Sequence, residues 1–456
     1  MGKTARLIPL VLTATVLVPQ PPSSDSSYQE IPLDGPSVQA RTEPYGMVGI
    51  TWPEGVRNVT AKVRVQQDGK WTDWQSLPVE DDHGPDPSDA EGILRAGTEP
   101  LWVGNATGVQ ASATSDTGTP VSGAKVVLIR PGVLSTDADE PGDVGVTSSA
   151  SPYPMPLMVS RRRWGADERL RTYNGASCAR PKYTTTVLGA FVHHTADRND
   201  YSRTDVAGMV RAMYAYHVKS RGWCDLGYNF LVDRFGRIFE GRAGGAQLPV
   251  LGAHTASYNA NSFGVAVIGN FDETAPPAAM LESTARVLAW KLDANYRSPS
   301  ATIRLDGKSL HTVSGHRDTK ATDCPGTELY KKLPWLRQRV NALMGGSFAT
   351  PIYRYARKIG FRNIGQPFWG EHPTRTGRAT YFATRDVFYS VATGPHSTAG
   401  AFRTRYRRLG AGSARLGLPI TDAYQVHGGV RQKFQRGWLV WDRRVRQVQV
   451  VYGREL

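Results

Sequence analysis

The chain has little cysteine: three residues in 456. That is too few to staple a scaffold together by disulfides, so a folded domain here has to rest on buried apolar surface. It also lacks long apolar runs. The one stretch worth weighing against a membrane lies at residues 7–18 (LIPLVLTATVLV), shorter than the roughly 20 residues a spanning helix needs. A polytopic membrane protein is therefore excluded. Glycine (47) and proline (30) are near average and show no period, which excludes collagen-like and coiled-coil architectures. What remains is ordinary globular material, 40% hydrophobic and 21% charged, long enough for about three domains.

Charge is unevenly placed within the net +15. Residues 1–150 carry 10 basic and 19 acidic side chains, 151–344 carry 26 and 16, and 345–456 carry 19 and 5. The second and third segments thus favour polyanions such as nucleic acid, anionic lipid or anionic wall polymers. Lys3 and Arg6 before the apolar run read as a secretory signal over residues 1–24, followed by a Pro/Ser-rich stretch. The expectation is a secreted protein with no membrane association after signal cleavage. Residues 40–131 hold short Val-, Ile-, Thr- and Trp-rich runs between turn signals, a β-sandwich-like domain without assigned chemistry. Trp71 and Trp74 are either a carbohydrate platform or ordinary packing. Residues 132–158, acidic and without apolar periodicity at their start, read as a linker.

From residue 183 strand and helix signals alternate. Residues 186–196 (TVLGAFVHHTA) form a strand ending in two histidines, and 205–221 an amphipathic helix. A hairpin turns at DRFG (233–236), 263–269 is a strand apolar on both faces, and helices follow at 276–296 and 326–344. This is an α/β domain: a central mixed sheet flanked by helices. His193 and His194 end the first strand, while His316 and Cys324 lie in VSGHRDTKATDCPG. Zinc accepts imidazole and thiolate, and a catalytic site needs three protein ligands. One histidine of the pair with His316 and Cys324 would complete such a set.

The motifs RRWGA, FVHHTA, YHVKSRGWCDLGYNFLVDRFGRIFEGR, GAHTASYNANSFGVAVIGNF and GHRDTKATDCPG occur in this order. Over residues 159–344 the chain resembles the peptidoglycan recognition protein and zinc-dependent N-acetylmuramoyl-L-alanine amidase family. The resemblance implies one zinc ion held by His193, His316 and Cys324, with His194 turned to the other side of its strand. It implies hydrolysis of the amide between the lactyl group of muramic acid and L-alanine of peptidoglycan. Tyr228 matches the tyrosine that assists catalysis, and Thr322 a position where active members carry threonine or lysine. Proton delivery to the leaving nitrogen falls to Tyr228 or to a water near Thr322. His217, His254, Asn259 and Arg242 are candidate substrate contacts; a core histidine is the usual reading of His217 on the apolar side of its helix, and Arg242 reads equally as the structural partner of Glu240 or another acid. With Cys324 given to the metal, Cys178 and Cys224 read as a disulfide. Members that only bind the polymer lack the cysteine ligand, so Cys324 and Tyr228 favour an enzyme over a non-catalytic recognition protein.

The last segment, 350–456, is internally repeated. IGQP (364–367) aligns with LGLP (416–419), and TYFATRDVFY (380–389) with QKFQRGWLVW (432–441), both at an offset of 52. Two β-rich copies are expected. They resemble LGFP repeats of actinobacterial wall proteins, which implies a cell-wall-associated protein. Their charge suits anionic wall polymers. Nucleic acid is the competing reading, disfavoured by the export signal and the lack of a nucleic-acid motif.

Overall fold

The computed structural model describes residues 26–453 except 80–82, 90, 93, 139–141, 143–144 and 146–151. The signal sequence expected over 1–24 lies outside the described residues. Among those described, no helix is long and apolar enough to cross a membrane.

The first domain is all β. Its strands are β1 (Ser27–Pro32), β2 (Val38–Pro53), β3 (Val59–Gln67), β4 (Lys70–Trp71), β5 (Gln75–Leu77), β6 (Arg95–Gly97), β7 (Leu101–Ser115) and β8 (Lys125–Arg130). The hydrogen-bonded order is β1-β8-β2-β7-β3-β4, with β5 on β3 and β6 on β2. In place of the two separate sheets of a sandwich there is one eight-stranded sheet. The pairing of β2 with β7 shifts register at Arg41/Tyr45 and Tyr45/Met47, and such bulges bend a strand. Alternation assigns the faces. Val126 and Leu128 point into this domain's own core, while Val127 and Ile129 join Met47 and Trp102 against the next domain. Arg64 lies 5.4 Å over Trp71 and 5.2 Å over Trp74, so both tryptophans act as packing partners of an arginine.

The second domain is built on a five-stranded sheet. Its strands are β9 (Gly189–His194), β10 (Phe230–Val232), β11 (Ile238–Glu240), β12 (Ser262–Val267), the separate hairpin β13 (Thr302–Leu305) and β14 (Lys308–His311), and β15 (Val313–Gly315). The order is β11-β10-β12-β9-β15, parallel except for β11. Helices α1 (Val206–Ala215), α2 (Ala278–Ala294), α3 (Thr327–Tyr330) and α4 (Leu333–Leu343) cover it. Val265 and Val267 of β12 pack on the side of α2 and α4, and Ala266 on the side of α1. Both faces are covered, which is why β12 is apolar from Phe263 onward.

Helix α1 departs from its amphipathic reading: Val206 through Tyr214 are all buried, Arg211 included. The N-terminal sheet supplies the second cover. Tyr216, in the wider turn that follows α1, donates its hydroxyl to the Thr98 carbonyl at 2.9 Å. Gly49 and Gly97 admit its ring; a Cβ on Gly49 would stand 2.6 Å from Tyr216 Cε2. The start of the segment read as linker is also docked, since Asp137 pairs with Arg211 through two 2.7 Å bonds.

Helices α5 (Pro351–Ile359) and α6 (Phe361–Ile364) lead into the last domain. It holds two four-stranded antiparallel sheets. One contains β16 (Pro367–Pro373), β17 (Arg378–Phe382), β18 (Arg385–Ser390) and β19 (Gly394–Ala399); α7 (Gly400–Arg408) follows. The other contains β20 (Tyr424–Val426), β21 (Gly429–Phe434), β22 (Gly437–Asp442) and β23 (Gln447–Tyr452). The third strands, β18 and β22, stand 52 residues apart at both ends.

Candidate metal centre and cleft

The site lies at the carboxyl ends of adjacent parallel strands, where open α/β sheets commonly place function. In β9, Val192 faces α2 and α4, so alternation turns His193 the opposite way. His194 then returns to the first side, where its Nδ1 accepts from the Phe271 N–H at 3.3 Å. Val192 pairs with Gly315 of β15, and the next residue is His316. The loop after it is tied back: Asp318 accepts from the Gly315 N–H at 2.9 Å, and the Arg317 N–H donates to the Cys324 carbonyl at 3.0 Å. Thr322 accepts from the Cys324 N–H at 3.1 Å. These bonds turn Cys324 inward, with its Sγ 3.5 Å from His193 Nδ1.

His193, His316 and Cys324 are each fully buried. The structure brings them together with a fourth residue that sequence reasoning missed. His83, from the N-terminal domain, places Nε2 3.2 Å from His193 Nδ1, and its ring stacks 4.4 Å from that of His316. One donor atom from each of the four lies within 4.8 Å of the others. Burial, then the neighbouring imidazoles, hold the pKa values of His193 and His316 well below the usual range, so both rings are neutral. Neutral imidazole is the form that ligates.

The donor set fits a metal. Both His316 nitrogens are buried with no hydrogen-bond partner, an arrangement that costs free energy unless something accepts a lone pair. Tetrahedral zinc, with bonds of about 2.0–2.1 Å to nitrogen and 2.3 Å to sulfur, sets neighbouring donors about 3.4–3.6 Å apart. The His83–His193 and His193–Cys324 separations are close to that. His193 Nε2 is 3.2 Å from His254 Nδ1, an outer contact that can hold the ligating tautomer.

The remaining candidates line the same cleft. Tyr228 is buried with its hydroxyl 3.3 Å from His83 Nδ1 and its ring 5.4 Å from that of His193. His217 packs 4.4 Å from Trp223, and its Nδ1 accepts from the Gly227 N–H. That matches the core-histidine alternative, at the cleft wall. His254 is buried and neutral, pushed down to about 3 by burial. Asn259 accepts from the His254 and Thr255 N–H groups and donates to the Gly84 carbonyl and to Asp86. Arg242 takes a structural acid partner, which is Glu91 of the N-terminal domain and not Glu240, and it donates to the Leu226 carbonyl. Cys178 and Cys224 form a disulfide.

Residues 183–327 match the N-acetylmuramoyl-L-alanine amidase family, and residues 13–136 match the Rv3811 N-terminal galactose-binding domain-like family. Peptidoglycan recognition protein 1 of Bos taurus is 33% identical over 175 residues, covering 38% of this chain and 80% of that protein. N-acetylmuramoyl-L-alanine amidase of Homo sapiens is 34% identical over 184 residues, covering 39% of this chain and 28% of that protein. A solved structure, Drosophila PGRP-LB wild-type, is 27% identical with a TM-score of 0.31, covering 38% of this chain and 90% of that one.

Proposed function

The chain belongs to the family of peptidoglycan recognition proteins and N-acetylmuramoyl-L-alanine amidases, and from that premise we propose that it is a secreted, zinc-dependent amidase that cleaves between the lactyl group of muramic acid and L-alanine in peptidoglycan. The observation that carries the reading is the buried cluster of His193, His316 and Cys324 beside Tyr228 at the ends of parallel strands. A protein that only binds its polymer has no use for a buried cysteine beside two neutral histidines, one of them with both nitrogens unpartnered.

These three side chains would hold the ion, which supplies Lewis acidity for attack of water on the amide carbonyl. The Tyr228 hydroxyl faces the same space and would donate to the oxyanion as charge develops. It would also hand a proton to the leaving alanine nitrogen. Thr322 holds the cysteine loop through the Cys324 N–H and lies two residues from the ligand. Arg242, His254 and Asn259 stand along the cleft, with Arg242 suited to a stem-peptide carboxylate. The two basic C-terminal sheets would hold the protein to the wall, as LGFP-like repeats and through anionic polymers.

Digestion of peptidoglycan tests the reading, using the natural chain and a His83→Ala chain. Stem peptides with free alanine N-termini, lost on chelation and regained with zinc, are expected. Polymer binding without release by either zinc-loaded chain would leave a recognition protein.

A further inference from the structure

The cleft is occupied by the chain's own N-terminal domain. Described residues between 83 and 99 enter it at several points, each through a named contact. The Glu91 carboxylate is bound to Arg242 and accepts from the Cys224 N–H at 2.8 Å. Asp86 accepts from the Ser257 N–H and from Asn259, both at 2.7 Å. Asp89 lies 3.7 Å from Lys182. Gly84 sits against Trp223; a Cβ there would be 3.6 Å from the indole. Arg242 and Asn259, suited to an acidic peptide, are thus already engaged by carboxylates of this segment.

At its end stands His83, 4% exposed. Its Nδ1 is 2.8 Å from the carboxylate of Glu99, itself buried. A carboxylate accepts and does not donate, so the ring's proton belongs on Nδ1 and the Nε2 lone pair points at His193. A carboxylate behind an imidazole is the usual outer support of a metal-bound histidine. Ligand and support come from the same domain: Glu99 adjoins β6 and β7, and its N–H donates to the Pro78 carbonyl. Four protein donors make a closed site, whereas a catalytic zinc keeps one position open.

We propose that His83 is the fourth metal ligand, held by Glu99, and that the segment around it is a built-in pseudo-substrate that keeps the enzyme latent. This rests on the amidase reading for its consequence, but the ligand assignment stands on the donor geometry alone. The displacing partner is a carboxylate-bearing peptide, which competes with Glu91 and Asp86 for Arg242 and Asn259. Once His83 leaves, a coordination position opens for water and substrate.

The experiment uses the full chain with cobalt(II) in place of zinc, as the natural protein, His83→Ala and Glu99→Gln. Azide is the probe of an open position and visible absorption the readout; zinc affinity is measured by chelator competition. The natural chain should give a four-donor spectrum that azide leaves unchanged. His83→Ala should respond to azide and turn over muropeptides at least about tenfold faster. Glu99→Gln, which keeps the side-chain volume, should weaken zinc binding by about 10–100-fold. It decides the matter alone if the alanine variant does not fold. An azide response in the natural chain equal to that of His83→Ala, or unchanged zinc affinity in Glu99→Gln, would overturn the proposal. If the cobalt spectra depend on His83 while no variant hydrolyses muropeptide, the ligand stands and the amidase reading falls.

Discussion

The pair formed by Arg211 and Asp137 docks the segment after β8 onto α1. Arg211 lies on α1 and is buried, its guanidinium bound to Asp137 by two 2.7 Å contacts and to the carbonyls of Trp164 and Gly132 at 2.9 Å. Side-chain exposure is 5% for Arg211 and 9% for Asp137, so solvent screens the pair little. Asp137→Ala strands a cation against carbonyl dipoles, at a cost of about 3–5 kcal/mol. With a urea slope of about 3 kcal/mol/M, the midpoint falls by about 1–1.7 M. Replacing both partners, Arg211→Met with Asp137→Leu, removes the stranded charge and recovers most of that loss. Urea unfolding followed by tryptophan fluorescence and far-UV dichroism, required to coincide, reads the change. A loss under about 1 kcal/mol in Asp137→Ala, or a double variant as unstable as the sum of the singles, refutes the reasoning.

Replacing Cys178 and Cys224 with serine opens a loop of 46 residues and should cost about 4 kcal/mol in the chain-entropy model; calorimetry under oxidising conditions checks it. Asp197 accepts from the Trp102 and Arg198 N–H groups at the domain boundary, and burial pushes its carboxyl up to about 7. A raised carboxyl pKa favours the protonated folded state, so this contribution is full below about pH 4 and lost as pH rises through 7. It spans up to about 4 kcal/mol. Stability should therefore fall between pH 5 and 8 by more in the natural chain than in Asp197→Asn, and equal slopes would count against it. Tyr228→Phe, made in the His83→Ala chain, should lower turnover by about 10²-fold or more with zinc content unchanged; loss of zinc instead would make the tyrosine a structural support.

Much of the second domain was legible because its elements carry local signals. The apolar run of β12, the DRFG hairpin and the histidine-ended β9 each read out from a few consecutive residues, and ordered motifs linked them. The alternation that turns His193 and His194 to opposite sides was equally readable. His83 was not. It sits among acidic, Gly- and Pro-bearing residues, and the other members of the cluster, His193, His316 and Cys324, are 110 and more residues away in another domain. The one available signal was charge: Asp86, Asp89 and Glu91 cluster ahead of a basic cleft domain. The same distance hid the burial of α1, since nothing in the helix says that a second sheet lies over its polar side. Strand β2 carries an apolar signal only towards its end, because residues from Val38 to Tyr45 alternate between exposed and half-buried until the last. The bend that makes one sheet of the first domain comes from bulges, which leave no mark in the pattern.

The most direct test of the central claim is to run the hydrolysis in oxygen-18 water with zinc-loaded His83→Ala and to weigh both products. Attack of water on the lactyl carbonyl puts the label in the muramyl carboxylate and leaves the released peptide unlabelled, with a free alanine amine. That result is the one predicted. Label on a sugar carbon, label within the peptide, or no release at all would contradict it.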